Sequence, residues 1–91
     1  MTLNETIRAV ADPTRREILR LLREGDRTAG EIAERFPMTA ASVSHHLNVL
    51  KEAELVQAER EGRNITYSLN ETVFQQFLEE LVQYFDVGGS S

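Results

Sequence analysis

The chain has 91 residues, 41% of them hydrophobic and 27% charged, with a formal net charge of −5 and no cysteine. This length allows one small domain with a modest core. The lack of cysteine excludes disulfides, thiol redox chemistry and cysteine metal sites. No apolar run approaches the roughly 20 residues of a membrane helix, and the N-terminus MTLNETIRAV lacks the basic and apolar regions of a signal peptide. We therefore expect a cytoplasmic protein without membrane insertion.

The charged residues are sorted along the chain. Residues 35–51 contain two cations and no carboxylate, residues 52–64 contain four carboxylates and two cations, and the chain beyond residue 64 contains four carboxylates and no cation. Because carboxylates repel phosphates, a surface that faces a polyanion needs such sorting. The stretch TAASVSHHLNVLK, residues 39–51, is therefore the first candidate for a functional surface.

Two helices are predicted at the start of the chain. The segment LNETIRAV, residues 3–10, has its apolar side chains at helical spacing. Asp12 followed by Pro13 is a helix start signal, since the carboxylate can cap the helix and proline lacks an N–H that the first turn does not use. The second helix, residues 13–24, has the wide apolar face of a core helix, and Gly25 can end it.

The next two predicted helices are joined by a tight turn. Thr28 and Glu31 match a capping box for a helix that reaches about Phe36. Thr39 is the predicted cap of a helix over residues 40–52, whose valine and leucine side chains share one face. This arrangement is typical of a helix-turn-helix, and an ordinary antiparallel helical hairpin in a bundle is the alternative at this point.

The segment LVQAEREGRNITYSL, residues 55–69, changes to the two-residue period of β-strands around the polar centre EGRN. This pattern predicts a β-hairpin, and a helix-turn-helix followed by a hairpin is a winged helix. Arg60 and Arg63 flank or occupy the hairpin tip, where they can reach a phosphate backbone. Asn70 then caps a last helix, ETVFQQFLEELVQYF, which has little polar surface.

Four segments in order, ADPTRREILRLL, TAGEIAERF, SVSHHLNVLKEAELV and GRNITYSLN, resemble signature blocks of the ArsR/SmtB family of bacterial winged-helix repressors, and within it the cysteine-free SdpR-like group. The resemblance covers about residues 10–70. It implies a homodimer, built by the first and last helices, that represses transcription by occupying operator DNA.

The expected fold class is mainly α with a β-hairpin wing (α+β), a winged helix-turn-helix with four helices, the two-stranded hairpin and a fifth helix. We expect a single DNA-binding and dimerisation domain over residues 1–86 and a disordered tail over residues 87–91.

The last helix also predicts a homodimer from its own composition, because a core this small cannot bury all of its large apolar residues. A helix folded over its own domain is the alternative. A two-fold dimer presents two recognition helices to successive major grooves, roughly 34 Å apart, and so predicts a palindromic operator. The predicted interface residues are Leu3, Ile7, Val73, Phe74, Phe77, Leu78, Leu81 and Phe85.

The side of the 40–52 helix opposite its valine and leucine face is predicted to contact DNA. Small residues at its N-terminal end let the backbone approach base edges and thymine methyl groups, and the helix N-terminus favours phosphate. His45 is expected to point outward, with a solvated surface histidine as the alternative, and the family's S-x-H-L pattern implies that His46 packs at the helix–helix junction. The predicted DNA-binding residues, with the wing arginines included, are Thr39, Ala40, Ala41, Ser42, Ser44, His45, Asn48, Lys51, Arg60 and Arg63.

Arg15, Arg16 and Arg20 form a second basic cluster, which either contacts phosphate or solvates and pairs locally, since the same helix carries two glutamates. Glu54 departs from the family pattern, in which many members have glycine where the recognition helix ends. Because glycine adopts the left-handed conformation most readily, Glu54 weakens the prediction of a left-handed cap there.

Metal sensing, which the family name suggests, is not expected. The family's cysteine sensor lies on the helix that reads GEIAERF here, and its second sensor falls near Glu71, Val73, Tyr84 and Val87, of which only one can bind a metal. A transition-metal site needs about four N, S or O ligands in fixed geometry. We therefore expect no metal and no cofactor.

An enzyme is not expected either, because Ser44 and His45 are helix neighbours that point about 100° apart. Three other functions stay open. The leading one is an autoregulatory dimeric repressor, relieved by a regulatory protein partner or by falling concentration. The second is a winged helix that binds another protein. The third is a small-molecule-responsive regulator with a pocket at the dimer interface near Phe74, Phe77 and Tyr84.

Overall fold

A computed structural model describes residues 2–86, which form five helices and one three-stranded antiparallel sheet. The elements in chain order are α1 Leu3–Val10, α2 Pro13–Glu24, β1 Arg27–Thr28, α3 Ala29–Glu34, α4 Ala40–Glu52, β2 Val56–Glu61, β3 Asn64–Leu69 and α5 Glu71–Tyr84. The predicted winged helix-turn-helix is confirmed. The predicted tail, residues 87–91, lies outside the described residues.

Each of the five helices begins at a polar cap whose side-chain oxygen accepts a hydrogen bond from a backbone N–H three residues later. In α1 and α3 the glutamate side chain at that position also accepts a hydrogen bond from the backbone N–H of the cap, which completes a capping box. The hydrogen bonds from the backbone N–H groups of Thr2 and Thr28 hold the pKa values of Glu5 and Glu31 below the usual value. The five caps are Thr2, Asp12, Thr28, Thr39 and Asn70.

The wing is the β2–β3 hairpin, and β3 is the central strand of the sheet. The register pairs Glu61 with Asn64, so Gly62 and Arg63 form a two-residue turn. Gly62 has φ +62°, as glycine has at the first central position of a type II′ turn. The sequence does not predict β1, which pairs Arg27 and Thr28 with β3, because two residues cannot show a periodic pattern.

The core lies between α2, α3, α4 and the sheet. Ile18, Ile32, Leu50 and Leu55 are fully buried, at 0% exposure. Burying each such side chain stabilises the fold by about 1.5–3 kcal/mol relative to leaving it in water. These side chains come from three helices and from the residue that precedes β2, so the core fixes α4 relative to the wing.

The structure corrects the predicted end of α3. This helix ends at Glu34 rather than at Phe36. The N–H groups of Arg35 and Phe36 bond three residues back, to Ile32 at 3.0 Å and to Ala33 at 3.4 Å, and so tighten the last turn. The chain then leaves the helix before Pro37, because the residue before proline disfavours the helical region.

The structure also decides the cap at the end of α4. Glu54 adopts the left-handed conformation, with φ +64°, although it carries a side chain. Its N–H donates to the Lys51 carbonyl at 2.9 Å, and the Leu55 N–H donates to the Leu50 carbonyl at 3.0 Å. These two bonds, with Leu50 packed near Leu55, form a Schellman motif. The left-handed cap is therefore present without glycine.

Candidate nucleic-acid interface

Helix α4 has one buried side and one exposed side. Val43, Leu47 and Leu50 are between 0 and 2% exposed and turn into the core. Every residue of α4 that is predicted to bind DNA, together with the cap Thr39, is exposed. Along α4, the first carboxylate is Glu52, at its last position. The result is an outward face of small, hydroxyl, amide, imidazole and ammonium groups that is free of acids over three turns.

The hydroxyl groups of Thr39 and Ser42 form hydrogen bonds at the N-terminal end of α4. The backbone N–H of Ser42 donates to the Thr39 Oγ1 at 3.1 Å, and that hydroxyl donates in turn to the Ser42 Oγ at 3.0 Å. The remaining backbone N–H groups of the first turn have no partner within the helix, and the helix dipole adds partial positive charge there. This end of α4 is thus suited to an anionic group.

The wing carries its two arginines on exposed positions near the tip. Arg60 lies opposite Ile65 in the β2–β3 register, and Arg63 is in the turn. Since neighbouring residues of a strand point to opposite faces, Glu59 and Glu61 lie on the other face from Arg60. Strand alternation therefore separates a cation from the two acids beside it.

The two adjacent histidines have different surroundings. His45 is exposed, as predicted. The side chain of His46 is only 16% exposed, and its Nδ1 lies 3.1 Å from the Arg15 Nη1 and 3.9 Å from the Asp12 Oδ2. His46 thus packs at the junction of α2 and α4, in agreement with the position that the family pattern implies. Because a guanidinium only donates, this contact is a hydrogen bond in which the Nδ1 of His46 accepts from Arg15.

Asp12 has two roles at this junction. Its Oδ2 caps α2 by accepting from the backbone N–H of Arg15 at 3.0 Å. Burial alone would raise the pKa of the Asp12 carboxyl, but this hydrogen bond and the neighbouring charge of Arg15 hold it below its usual value. The carboxylate is therefore stable as an anion beside α4.

The arginines of the second basic cluster make contacts within the chain. Arg15 and Arg16 direct their guanidinium groups at backbone carbonyls at the end of α1. Arg20 lies 3.7 Å from Glu17, and both side chains are exposed. These contacts are the local pairing of one predicted alternative, and phosphate contact by these arginines stays a prediction.

The predicted dimer surface divides into buried and exposed members. Phe77 is only 6% exposed and packs inside the chain, 6.4 Å from the ring of Phe74, so its prediction as an interface residue is corrected. Leu3, Val73, Phe74 and Leu81 are half-buried. Among residues 2–86, the large apolar residues left exposed are Ile7 at 39%, Leu78 at 40%, Val82 at 70%, Tyr84 at 73% and Phe85 at 66%.

Two of these exposed residues, Val82 and Tyr84, are missing from the predicted interface. Both lie on the last turn of α5. The signal that finds them is the apolar run at the end of LVQYF, which has too many large side chains for one helix face.

A cleft of about 290 Å³ lies where α2 meets α5. It is close to the predicted small-molecule site and includes Phe74 and Phe77, but not Tyr84. Its other walls are Val10, Arg16, Leu19, Arg20 and Arg23.

Residues 2–86 contain no group of three or more histidine, cysteine, aspartate or glutamate side chains that could hold a metal ion. Glu71, Val73 and Tyr84, near which the sequence predicts the positions of the family's second sensor, all lie on α5. Val87, the remaining position, is outside the described residues. Within the described part of the chain, no helix is long and apolar enough to cross a membrane.

A family model for bacterial regulatory proteins of the arsR family matches residues 12–58, from the cap of α2 into β2. The chain belongs to the ArsR family. This ArsR-family chain is 48% identical over 86 residues to the transcriptional repressor SdpR of Bacillus subtilis strain 168, a match that covers 94% of the chain and 96% of the relative. The family and this relative are regulators, so the chain is a regulatory protein rather than an enzyme.

Solved structures agree with the ArsR-family fold. A possible transcriptional regulator for arsenical resistance superposes with a TM-score of 0.82 at 33% identity, covering 92% of this chain and 86% of that one. The homodimeric winged helix-turn-helix DNA-binding domain of a possible ArsR-family regulator from Mycobacterium bovis superposes with a TM-score of 0.75 at 33% identity, covering 89% and 76%.

Proposed function

We propose that this ArsR-family chain is a dimeric transcriptional repressor that binds operator DNA sequence-specifically through α4 and the wing. The observation that carries the proposal is the outward face of α4. It is exposed and free of carboxylates up to Glu52, although the whole chain has a net charge of −5. A face that reads DNA needs this exclusion of acids, and an ordinary solvated helix does not.

The side chains of this face suit different parts of a DNA duplex. Ala40 and Ala41 allow close approach and can contact thymine methyl groups, while Ser44 and Asn48 offer donors and acceptors to base edges in the major groove. Lys51 and the wing arginines supply positive charge for phosphates, which fix the register of a protein on DNA. In this proposal α4 specifies the sequence and the wing strengthens binding.

The proposed dimer uses α1 and α5. The support is the set of large apolar side chains exposed on one chain, which water disfavours, and the homodimeric state of the Mycobacterium bovis domain. A two-fold dimer places identical α4 helices against two half-sites, so the proposed operator is palindromic. We further propose autoregulation of the chain's own operon and no response to metals, on the ground that the chain has no cysteine and two histidines adjacent in sequence.

Fluorescence anisotropy against the chain's own upstream DNA and a scrambled duplex, each at two salt concentrations, tests the proposal. We expect preference for the upstream duplex and weaker binding at higher salt, because phosphate contacts release counterions. Ser44→Glu should abolish binding by placing an acid on the outward face. Thr72→Glu, which adds the same charge at an exposed position of α5, is the matched control and should bind normally.

Two results would count against this proposal. Equal loss of binding in both glutamate variants would remove the special role of α4. Binding to neither duplex at any salt, together with salt-insensitive binding to a protein, would favour the protein-interaction alternative.

Sedimentation velocity tests the proposed dimer separately. Leu78→Glu places a charge among the exposed apolar side chains and should shift the protein toward monomer at micromolar concentration, whereas Thr72→Glu should leave the dimer intact. A wild-type chain that stays monomeric over this range would refute the dimer.

A further inference from the structure

Two consecutive arginines at the start of α2 cap the end of α1. The Nε and Nη2 of Arg15 donate to the carbonyls of Ala9 and Arg8 at 2.6 and 3.3 Å. The Nη1 of Arg16 donates to the carbonyls of Val10 and Ala11 at 3.0 and 2.9 Å. The last carbonyls of a helix have no partner inside it, and cations there also interact favourably with the helix dipole. These bonds therefore tie α1 to α2.

Arg15 differs from Arg16 in reaching a third element. Its Nη1 lies 3.1 Å from the Nδ1 of His46 on α4. One planar guanidinium thus bonds two carbonyls of α1 and one imidazole of α4 at the same time. The rigid fork of arginine permits this geometry, and the single ammonium of lysine does not.

His46 holds a key position on α4. It lies between His45, which is exposed on the face proposed for DNA, and Leu47, which is 1% exposed in the core. The apolar side chains of α4 hold the helix against the core, but because apolar packing is non-directional, it permits small rotations of α4 about its axis. A directional hydrogen bond at His46 removes this freedom, since hydrogen bonds weaken steeply away from linear geometry.

We propose that Arg15 is a positioning residue that couples the recognition helix α4 to the end of α1 through His46. The inference rests on the proposed function, because it concerns how the DNA-facing side of α4 is held. Since α1 also belongs to the proposed dimer surface, the same guanidinium connects the helix that pairs two subunits to the helix that reads DNA. Operator affinity then depends on a side chain that does not itself touch DNA.

The competing role for Arg15 is direct contact with a phosphate. The two roles predict different effects of Arg15 substitutions on the salt dependence of operator binding and different outcomes for Arg15→Lys. A residue that contacts phosphate lowers the salt slope of binding by about one when it is removed, and lysine replaces it adequately. A positioning residue leaves the slope unchanged, and lysine cannot replace its three-way bonding.

The test measures operator anisotropy over a range of salt concentrations for Arg15→Met, Arg15→Lys, His46→Leu and the Arg15→Met/His46→Leu double variant. We expect each single variant to bind about five- to tenfold more weakly with the wild-type salt slope, the size of effect typical of coupling residues. The double variant should bind no more weakly than either single one, because both remove the same bond. His46→Asn, whose Oδ1 can accept near the position of the Nδ1, should recover part of the affinity.

Arg16→Met is the matched control, because Arg16 caps α1 without reaching His46. It should lower stability toward urea as Arg15→Met does, but leave operator affinity near the wild-type value. All affinities are measured at a temperature where urea titrations show each variant folded, and Arg15→Lys and His46→Asn serve where the apolar variants do not fold.

Three outcomes would overturn the inference while the wild-type protein binds its operator. They are a salt slope lower by about one in Arg15→Met, losses that add in the double variant, and an equal loss of affinity in Arg16→Met. Failure of the wild-type protein to prefer its operator would instead refute the proposed function, so the two failures are distinguishable.

Discussion

Replacing Glu54 with glycine should stabilise the protein. Glu54 has φ +64° at the end of α4, a conformation that costs an L-residue roughly 1–2 kcal/mol. Glycine adopts it freely but loses more conformational entropy on folding, about 0.5–1 kcal/mol. The exposed Glu54 side chain is in none of the ion pairs found among residues 2–86. The midpoints of these two costs differ by about 0.75 kcal/mol, so we expect a gain of about 0.5–1 kcal/mol.

Urea unfolding at a fixed protein concentration measures this gain, because the stability of a dimer depends on concentration. For a domain of this size the expected rise in Tm is about 2–8 °C. Two further variants distinguish the effect of the left-handed conformation at Glu54 from the effect of removing its charge. Glu54→Ala removes the carboxylate but keeps the Cβ, so it should gain little. Glu52→Gly removes an exposed glutamate inside the last turn of α4 and should cost about 1 kcal/mol.

The reasoning fails if Glu54→Gly and Glu54→Ala are equally stable, since the removed charge would then account for any change. It also fails if Glu54→Gly and Glu52→Gly shift stability in the same direction. In either case the left-handed conformation at Glu54 would not be the source of the cost.

Three further predictions follow from single contacts. Asp12→Asn keeps the cap of α2 but removes the titrating carboxyl, whose pKa is lower in the folded protein than the unfolded value of 3.8. The carboxylate therefore stabilises the fold above pH 3.8, and this stabilisation is lost as the pH falls through the folded pKa. In urea titrations the stability difference between wild type and variant should narrow below pH 3.8, and a constant difference would contradict this. Gly62→Ala should cost about 1 kcal/mol in the same assay, because the wing turn needs φ +62°, and a neutral result would mean that the turn adapts. Arg63→Ala should lower the salt slope of operator binding by about one if its guanidinium meets a phosphate, and an unchanged slope would remove it from the interface.

The sequence predicts most of the fold because its signals are local. Asp12, Thr28, Thr39 and Asn70 each precede a helix and use a side-chain oxygen for an N–H that the helix leaves free, so the same chemistry that marks the boundary also forms it. The change from helical to strand period at Leu55 is equally local, and the hairpin lies where that change predicts it.

Contacts between distant residues carry no such local signal. Strand β1 exists because Arg27 and Thr28 meet β3 some forty residues later, and a dipeptide cannot show that pairing. Arg15 and His46 are likewise 31 residues apart. From composition alone Arg15 belongs to a basic cluster, and only the fold reveals that its guanidinium is directed at the end of α1.

The Glu54 cap lies between these two cases. Its residue type argues against a left-handed conformation, whereas the spacing of Leu50 and Leu55 argues for it, because a Schellman motif pairs apolar residues five positions apart. Both leucines are 0% exposed, so the buried pair outweighs the local cost at Glu54. Reading the apolar pair as well as the missing glycine predicts this cap from the sequence.

The net charge of −5 and a DNA partner are compatible because charges act locally in salt. Over a Debye length of about 10 Å at 0.1 M salt, carboxylates on remote parts of the protein are screened from a bound phosphate. Helix α5, which carries Glu71, Glu79 and Glu80 on exposed positions, packs against α1, while α4 presents no acid before its last residue. At low salt the screening is weak, so the net negative charge of the whole protein repels the DNA phosphates. Operator association for this chain should therefore accelerate less on lowering the salt concentration than association of a basic repressor with the same phosphate contacts.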